Sequence, residues 1–301
     1  MEFLRLLESI RTPLGDAFFM FCTYGGEEVM LLGLICLIYW CINKKLAYRM
    51  TFAYLPSGLA VEVTKLTCRV ERPWVQDPTF TIVEKARKSA TGYSFPSGHT
   101  QNATALFTTL GHVNKKLPIK LLFFLVIPLV MFSRMYLGVH TPADVLVSVV
   151  MSLIIVIGIN VLADRIELNH KKRLIIMAIL LTIAFATAIY TYVLFASGTI
   201  AYKDAADSFK GCGGGVGFLI CWVIETKYID FDVRCDAIWK QVLKCVIGFA
   251  IVLLLKEGIK YGFHALFCEN LFCEFFRYLI LMFWAMMGMP LVIKKFFQAK
   301  A

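Results

Sequence analysis

Long apolar runs separated by short polar connections make up most of the chain. They lie at residues 17–42, 51–64, 99–113, 121–139, 142–163, 174–197, 214–224, 241–267 and 272–294. A membrane-spanning helix needs about 17–25 mainly apolar residues, so most of these runs can cross a bilayer, although the second, third and seventh are short. The pattern predicts an all-α, polytopic transmembrane bundle of about eight or nine spans.

The chain is expected to have three parts. Residues 1–16 place alternating Glu and Arg residues among leucines, which predicts an amphipathic lead-in at the membrane surface rather than a secretory signal. Residues 17–163 form a membrane core that contains every candidate functional residue described below. Residues 164–301 add further transmembrane helices.

Composition and charge agree with a membrane protein. Hydrophobic residues make up 59% of the chain and charged residues 17%, which is beyond what a globular core requires. The net charge of +10 comes from short loops and not from an extended basic face with interleaved aromatics, so nucleic acid is not expected as a partner. The expected partner is the lipid bilayer. The 10 cysteines form no C-x-x-C pair, so we expect no zinc site.

Lys and Arg residues collect in alternate connections, at positions 44–49, 115–120 and 165–173. Cytoplasmic loops carry such an excess, so we predict that these connections are cytoplasmic. The connection 225–239 mixes both signs of charge, and the other loops outweigh it. The polar segment 66–98 and the corner at His140 then face the extracytoplasmic side of what we expect to be a bacterial plasma membrane.

One polar cluster leads directly into the third apolar run. It contains Ser97, Gly98 and His99, which places these residues at a predicted helix N-terminus. Free backbone N–H groups and the positive end of the helix dipole make that position suited to a phosphoryl group. Gly98 would let the backbone approach the anion closely.

A second polar cluster lies at the start of the fifth run. Thr141 can cap the next helix, Pro142 fits its first position, and Asp144 falls at its third. In that geometry the Asp144 carboxylate can hold one nitrogen of the His140 imidazole while the other nitrogen faces substrate. This supplies a nucleophile and its orienting group.

Three fixed cations complete the candidate site. Lys65 and Arg72 have six residues between them, and Arg134 directly follows Ser133. In phosphoryl transfer, the three equatorial oxygens of the transition state carry dispersed negative charge, which cations and N–H donors stabilise. Enough converging donors make a metal unnecessary, so this inventory of three cations, two histidines and one carboxylate indicates phosphoryl transfer without a cofactor.

Three motifs in this order resemble the signatures of the type 2 phosphatidic acid phosphatase superfamily: Lys65-x6-Arg72-Pro73, Pro96-Ser97-Gly98-His99 and Ser133-Arg134-x5-His140-x3-Asp144. Soluble vanadate-dependent haloperoxidases share much of this constellation. The membrane spans and the three-residue gap between His140 and Asp144 favour the phosphatases. The resemblance covers the catalytic half of the chain and implies the helical core of that superfamily.

The resemblance also implies roles for single residues. His140 would attack phosphorus and form a phosphohistidine, Asp144 would orient His140, and His99 would protonate the leaving oxygen. The phosphoryl oxygens would be held by Lys65, Arg72, Ser97, Gly98 and Arg134. No metal and no other cofactor is implied.

The expected function is hydrolysis of a membrane lipid phosphate or diphosphate at an extracytoplasmic site. Undecaprenyl diphosphate, phosphatidic acid and phosphatidylglycerophosphate are candidate substrates. Phosphotransfer from a lipid diphosphate to another acceptor is one alternative, because a phosphohistidine can be discharged by a hydroxyl other than water. A non-catalytic lipid-binding or lipid-transporting protein is another, and the oligomeric state is left open.

Two further features were open to more than one interpretation. Glu27 and Glu28 interrupt the first run after two glycines, and carboxylates at membrane depth face protein interior or water, so a role near substrate is possible. Alternatively, the helix breaks at the glycines and leaves both carboxylates at the outer surface. The glycine-rich segment 211–217 lacks the Lys-Ser/Thr of a P-loop, which favours a hinge or a close helix contact.

Overall fold

The computed structural model describes residues 1–267 and 270–298, and these residues are all-helical, without a strand. The all-α prediction is therefore confirmed. The helices are α1 (Glu2–Ser9), α2 (Pro13–Thr23), α3 (Glu28–Cys41), α4 (Lys44–Cys68), α5 (Pro73–Gln76), α6 (Glu84–Arg87), α7 (Gly98–Val113), α8 (Leu117–Tyr136), α9 (Pro142–Arg165), α10 (His170–Ala196), α11 (Tyr202–Ile224), α12 (Ile238–Phe267), α13 (Leu271–Phe283) and α14 (Met289–Val292). A 3₁₀ turn at Tyr24–Gly26 separates α2 from α3.

Five helices among the described residues are long and apolar enough to cross a membrane, or up to six if the bent pair α2 and α3 is one span. Three of the five are α8, α9 and α10. The fourth is α11 with the π-helical turn that follows it (Tyr202–Ile229), and the fifth is α13 with α14 and the π-helical turns around it (Leu271–Phe297). The predicted count of eight or nine spans is not confirmed. The remaining apolar runs do lie in helices, but α7 has only 16 residues, and α4 carries several charged residues along its 25 residues.

The chain divides into two compact units. The first consists of Met1–Leu32 and Arg49–Arg165, and the second of the described residues within Gly33–Tyr48 and Ile166–Ala301. Every candidate site residue named above belongs to the first unit. The division into 1–16, 17–163 and 164–301 stays a prediction.

Helix α7 forms the centre of the first unit, although it is rich in polar residues. Buried polar side chains need hydrogen-bond partners, and its neighbours supply them. Gln101 Nε2 donates to Ser57 Oγ of α4 at 2.8 Å, and Asn102 Nδ2 donates to the Gly26 carbonyl at 2.9 Å. Because α7 packs against other helices and not against lipid, its surface can be moderately polar.

A polar cluster closes the end of the first unit that lies away from His99. Arg49 of α4 donates to Asn160 Oδ1 at 2.6 Å and to Asp164 Oδ1 at 2.7 Å. His112, at the end of α7, contacts the other oxygen of the Asp164 carboxylate at 2.6 Å. These bonds join α4, α7 and α9 at one end, and the candidate site lies at the other ends of the same helices.

The second unit shows why the 211–217 segment is rich in glycine. A Cβ at Gly213 would overlap the backbone carbonyl oxygen of Phe275, and a Cβ at Gly217 would lie 2.9 Å from Met282 Cβ. The backbones of α11 and α13 approach closely because two glycines four residues apart leave room for the partner helix. The expectation of a close helix contact is confirmed.

Candidate active site

The corner between α8 and α9 is built by local capping. As the sequence predicts, α9 begins at Pro142, the Thr141 N–H donates to Asp144 Oδ2 at 2.8 Å, and the Asp144 N–H donates to Thr141 Oγ1 at 3.3 Å. Such a reciprocal cap satisfies two N–H groups that a helix start leaves unpaired. The carboxylate of Asp144 is thereby fixed one turn from His140.

Asp144 lies against one nitrogen of the His140 imidazole. Its Oδ2 is 3.4 Å from His140 Nδ1, which is a long contact, and accepts a 2.5 Å hydrogen bond from Ser94 Oγ. Ser94 Oγ is itself 3.5 Å from His140 Nδ1. All three side chains are buried, so little water competes for these groups.

Arg72 lies against the other nitrogen. Its Nη1 is 2.9 Å from His140 Nε2 and also donates to the Val139 carbonyl at 3.0 Å. The same guanidinium donates to the carbonyls of Thr91 at 2.6 Å and Gly92 at 3.0 Å. Because a guanidinium has no acceptor, Nε2 must accept the bond, and the imidazole proton then belongs on Nδ1, towards Asp144.

The charge states follow from this environment. Burial and the neighbouring Arg72 guanidinium lower the pKa of His140 well below its usual value, so the imidazole is neutral at neutral pH. Burial also lowers the pKa of Arg72, to about 10, which leaves the guanidinium charged. The arrangement presents a neutral imidazole whose Nε2 lone pair faces a fixed cation.

Arg134 is fully buried and only partly satisfied. Its Nη1 donates to Thr23 Oγ1 at 2.9 Å, with Ser89 Oγ at 3.5 Å. Within the described part of the chain, its Nε and Nη2 have no hydrogen-bond partner. A buried charged group without partners is costly, and an anion at these two N–H groups would remove that cost.

Ser97 and Gly98 begin α7, as expected from the sequence. Ser97 is the N-cap, and its Oγ accepts from the Thr100 N–H at 3.4 Å. A Cβ built at Gly98 would lie 4.0 Å from Lys65 Nζ, so the Lys65 ammonium stands beside the first turn of α7. Lys65 also pairs with Glu62 at 3.0 Å.

The backbone ties this helix start to the His140 corner. The Ser97 N–H donates to the Asp144 carbonyl at 3.1 Å, and Ser148 Oγ of α9 donates to the Ser97 carbonyl at 2.7 Å. The start of α7 and the start of α9 are therefore held side by side. Ser97 and Ser148 are 51 residues apart in sequence, and their segments meet at one end of the first unit.

His99 contacts a residue that was not among the predicted site residues. Its Nε2 lies 3.0 Å from Glu27 Oε2. The helix does break at the two glycines, as one interpretation of Glu27 and Glu28 expected; at this break Glu27 contacts His99 and Glu28 is exposed. The sequence signal for Glu27 is its charge inside an apolar run. Ser94, which contacts Asp144, and Glu62, which pairs with Lys65, were also not predicted, and their only sequence signal is proximity to the motifs.

The structure thus places all eight predicted residues around one end of the first unit. Direct contacts join Arg72, His140 and Asp144, whereas His99 and Arg134 contact residues of the α2–α3 break, Glu27 and Thr23. Among residues 1–267 and 270–298, no group of three or more His, Cys, Asp or Glu side chains is arranged to hold a metal ion.

Comparison with protein families decides the relationship. The model of the PAP2 superfamily matches residues 46–167, which contain all eight predicted site residues, and the model of the PAP2 superfamily phosphatase transmembrane extension matches residues 209–301. The chain belongs to the PAP2 superfamily. The resemblance seen in the three motifs is confirmed, and this PAP2 protein is an integral membrane protein of a phosphatase family.

Individual relatives match more weakly. A probable sphingosine-1-phosphate phosphatase of Dictyostelium discoideum is 24% identical to this PAP2 protein over 245 residues, covering 74% of this chain and 57% of that relative. The chain thus spans little more than half of the relative's length. The crystal structure of Aquifex aeolicus LpxE matches with a TM-score of 0.45 and 29% identity, covering 52% of this chain and 92% of that chain.

Proposed function

We propose that the protein hydrolyses a phosphate monoester or diphosphate of a membrane lipid through a phosphohistidine at His140. The observation that carries this proposal is the hydrogen bonding of the buried His140 imidazole. Arg72 on Nε2 and Asp144 near Nδ1 select the neutral tautomer whose Nε2 lone pair is free of a proton. That lone pair is the electron pair that a histidine nucleophile uses.

Binding of the phosphoryl group comes first. Two of its oxygens meet Arg72 and the two unpaired N–H groups of Arg134, and the third meets Lys65 and the N–H groups at the start of α7. Burial holds both guanidinium groups in place before substrate arrives, so they stabilise the charge that spreads over the equatorial oxygens with little reorganisation. The cations supply what a divalent metal supplies in other phosphoryl-transfer enzymes.

Chemistry then proceeds in two steps. His140 Nε2 forms a bond to phosphorus, the bond from phosphorus to the lipid oxygen breaks, and His99 gives a proton to that oxygen. Asp144 stabilises the positive charge that develops on the imidazole. Water next attacks the phosphohistidine while His99 takes a proton from it, which releases phosphate and restores His140.

Membrane lipids are the proposed substrate class, which is supported by the transmembrane family match and the long apolar helices. The Dictyostelium relative carries the name of a sphingosine-1-phosphate phosphatase, which supports a lipid phosphate monoester. Phosphatidic acid, phosphatidylglycerophosphate and undecaprenyl diphosphate remain candidates beside sphingosine 1-phosphate. The site is proposed to open to the extracytoplasmic side of a bacterial plasma membrane.

The proposal is tested with purified protein in detergent, supplied with each of these four lipids in the presence of EDTA. We expect phosphate release from at least one lipid, at the same rate with and without EDTA, because fixed cations hold the phosphoryl group. Loss of activity in EDTA that a single divalent ion restores would contradict metal independence. No release from any lipid would favour a binding or transport protein, and transfer of label to an added alcohol in preference to water would favour a phosphotransferase.

Sidedness gives a separate prediction. In a Cys68→Ser background, which removes an exposed native thiol near the site, Lys88→Cys should react with an impermeant thiol reagent added to intact cells, whereas Lys116→Cys should react only after lysis. Lys88 and Lys116 are exposed, and the charge bias puts them on opposite sides of the membrane. The reverse labelling would overturn the orientation.

A further inference from the structure

The site contains a second imidazole with a carboxylate partner. Besides Asp144 near His140, Glu27 Oε2 lies 3.0 Å from His99 Nε2. The His99 side chain is 12% exposed and that of Glu27 is 29% exposed, so water screens the pair only in part. Burial and the nearby Arg134 guanidinium lower the pKa of His99, and the Glu27 carboxylate opposes this lowering and prefers the Nε2–H form of the imidazole.

The backbone that carries Glu27 is fitted to the start of α7. A Cβ at Gly26 would overlap the His99 carbonyl oxygen, so only glycine permits this approach. Asn102 Nδ2, one turn further along α7, donates to the Gly26 carbonyl at 2.9 Å. Two independent contacts therefore hold the α2–α3 break against the turn that bears His99.

The neighbouring carboxylate has a different environment. Helices α2 and α3 are bent by 49° at the break, and Glu28, the first residue of α3, is exposed and accepts a 3.0 Å hydrogen bond from the Tyr54 hydroxyl. The two adjacent glutamates thus have different hydrogen-bond partners, His99 for Glu27 and Tyr54 for Glu28. Glu28 is therefore a matched control with the same charge and almost the same place in the chain.

We propose that Glu27 is a positioning residue that prepares His99 to act as the acid of the reaction. Glu27 holds the Nε2–H of the imidazolium, which leaves Nδ1–H for the leaving group. When the phosphorus–oxygen bond breaks, its electron pair stays on the lipid oxygen and takes the Nδ1 proton, and His99 becomes neutral with Nε2–H still bonded to Glu27. The inference rests on the proposed function and adds to it the group that sets the protonation of His99.

The test compares two leaving groups. An alkyl lipid phosphate needs a proton on its leaving oxygen, whereas p-nitrophenyl phosphate has a phenol leaving group that needs little protonation. Glu27→Gln should lower kcat/KM for the lipid phosphate about ten- to a hundredfold, a part of the usual general-acid contribution, and change kcat/KM for the aryl phosphate by less than about threefold. Glu27→Asp should restore part of the loss, and Glu28→Gln should match the wild type on both substrates.

A double-mutant cycle separates positioning from a purely structural role. If Glu27 acts through His99, adding Glu27→Gln to His99→Ala causes little further loss on the lipid phosphate. Equal losses of Glu27→Gln on both substrates, full additivity with His99→Ala, or wild-type activity would each overturn the inference. If Glu27→Gln does not fold, Glu27→Asp carries the same comparison. Failure of the wild type and Glu28→Gln on both substrates would instead refute the proposed function.

Discussion

His140→Ala releases no detectable phosphate from a lipid substrate and forms no phosphoenzyme, if His140 is the nucleophile. Among the described residues around the site, His140 alone combines a buried imidazole, a cation on Nε2 and a carboxylate near Nδ1. The measurement is a rapidly quenched reaction with radiolabelled lipid phosphate, in which the wild type should accumulate an acid-labile, base-stable adduct at His140. The effect is the largest expected because no bond to phosphorus can then form.

His112→Ala is the matched control for that experiment. His112 also pairs with an aspartate, Asp164, but it lies at the other end of α7. Its replacement should leave turnover and the adduct unchanged. An adduct that persists in His140→Ala, or normal lipid turnover by that variant, would show that another group attacks phosphorus.

Asp144→Asn is expected to have the second largest effect, a loss of roughly 10²–10⁴ in kcat. The amide carries no negative charge, so it cannot stabilise the positive imidazole that forms during the reaction. The helix cap should survive, because an asparagine oxygen can still accept from the Thr141 N–H. Thermal unfolding in detergent should therefore shift only slightly, while kcat for the lipid phosphate falls.

Ser94→Ala separates the charge of the Asp144 carboxylate from one of its hydrogen bonds. It removes the 2.5 Å bond to the carboxylate but leaves the charge of Asp144 in place. We expect a loss well below that of Asp144→Asn. If the two variants lose activity equally, or if Asp144→Asn stays within about tenfold of the wild type, the carboxylate charge is not what orients His140.

Helix starts were the part of the fold that the sequence predicted best. Ser97 before Gly98, and Thr141 before Pro142, are local signals that act over three or four residues, and both helices begin where these signals place them. Because the motif residues cluster at these two starts, the sequence could also name eight residues that the structure gathers at one end of the first unit. The roles assigned to them stay predictions.

Contacts over long sequence distances could not be predicted in the same way. Glu27 and His99 are separated by 72 residues, and although the two glycines indicate a break between α2 and α3, no local pattern specifies that the break packs against the start of α7. The number of spans was not predictable for a related reason. Hydropathy reports which segments can face lipid. Helix α7 is surrounded by other helices, which provide partners for its polar groups, so hydropathy does not show whether it crosses the membrane.

The bond between Arg72 and His140 has a consequence for selectivity. A guanidinium N–H, 2.9 Å away, occupies the lone pair that must attack phosphorus under the proposed mechanism. An anion can draw this N–H onto its own oxygens, because a bond between two ionised partners is stronger than the bond from the guanidinium to a neutral imidazole, whereas an uncharged ester offers no such gain. Arg72 then blocks His140 Nε2 until a bound phosphate draws the N–H away. Neutral electrophiles in the membrane therefore do not reach a free lone pair on this nitrogen.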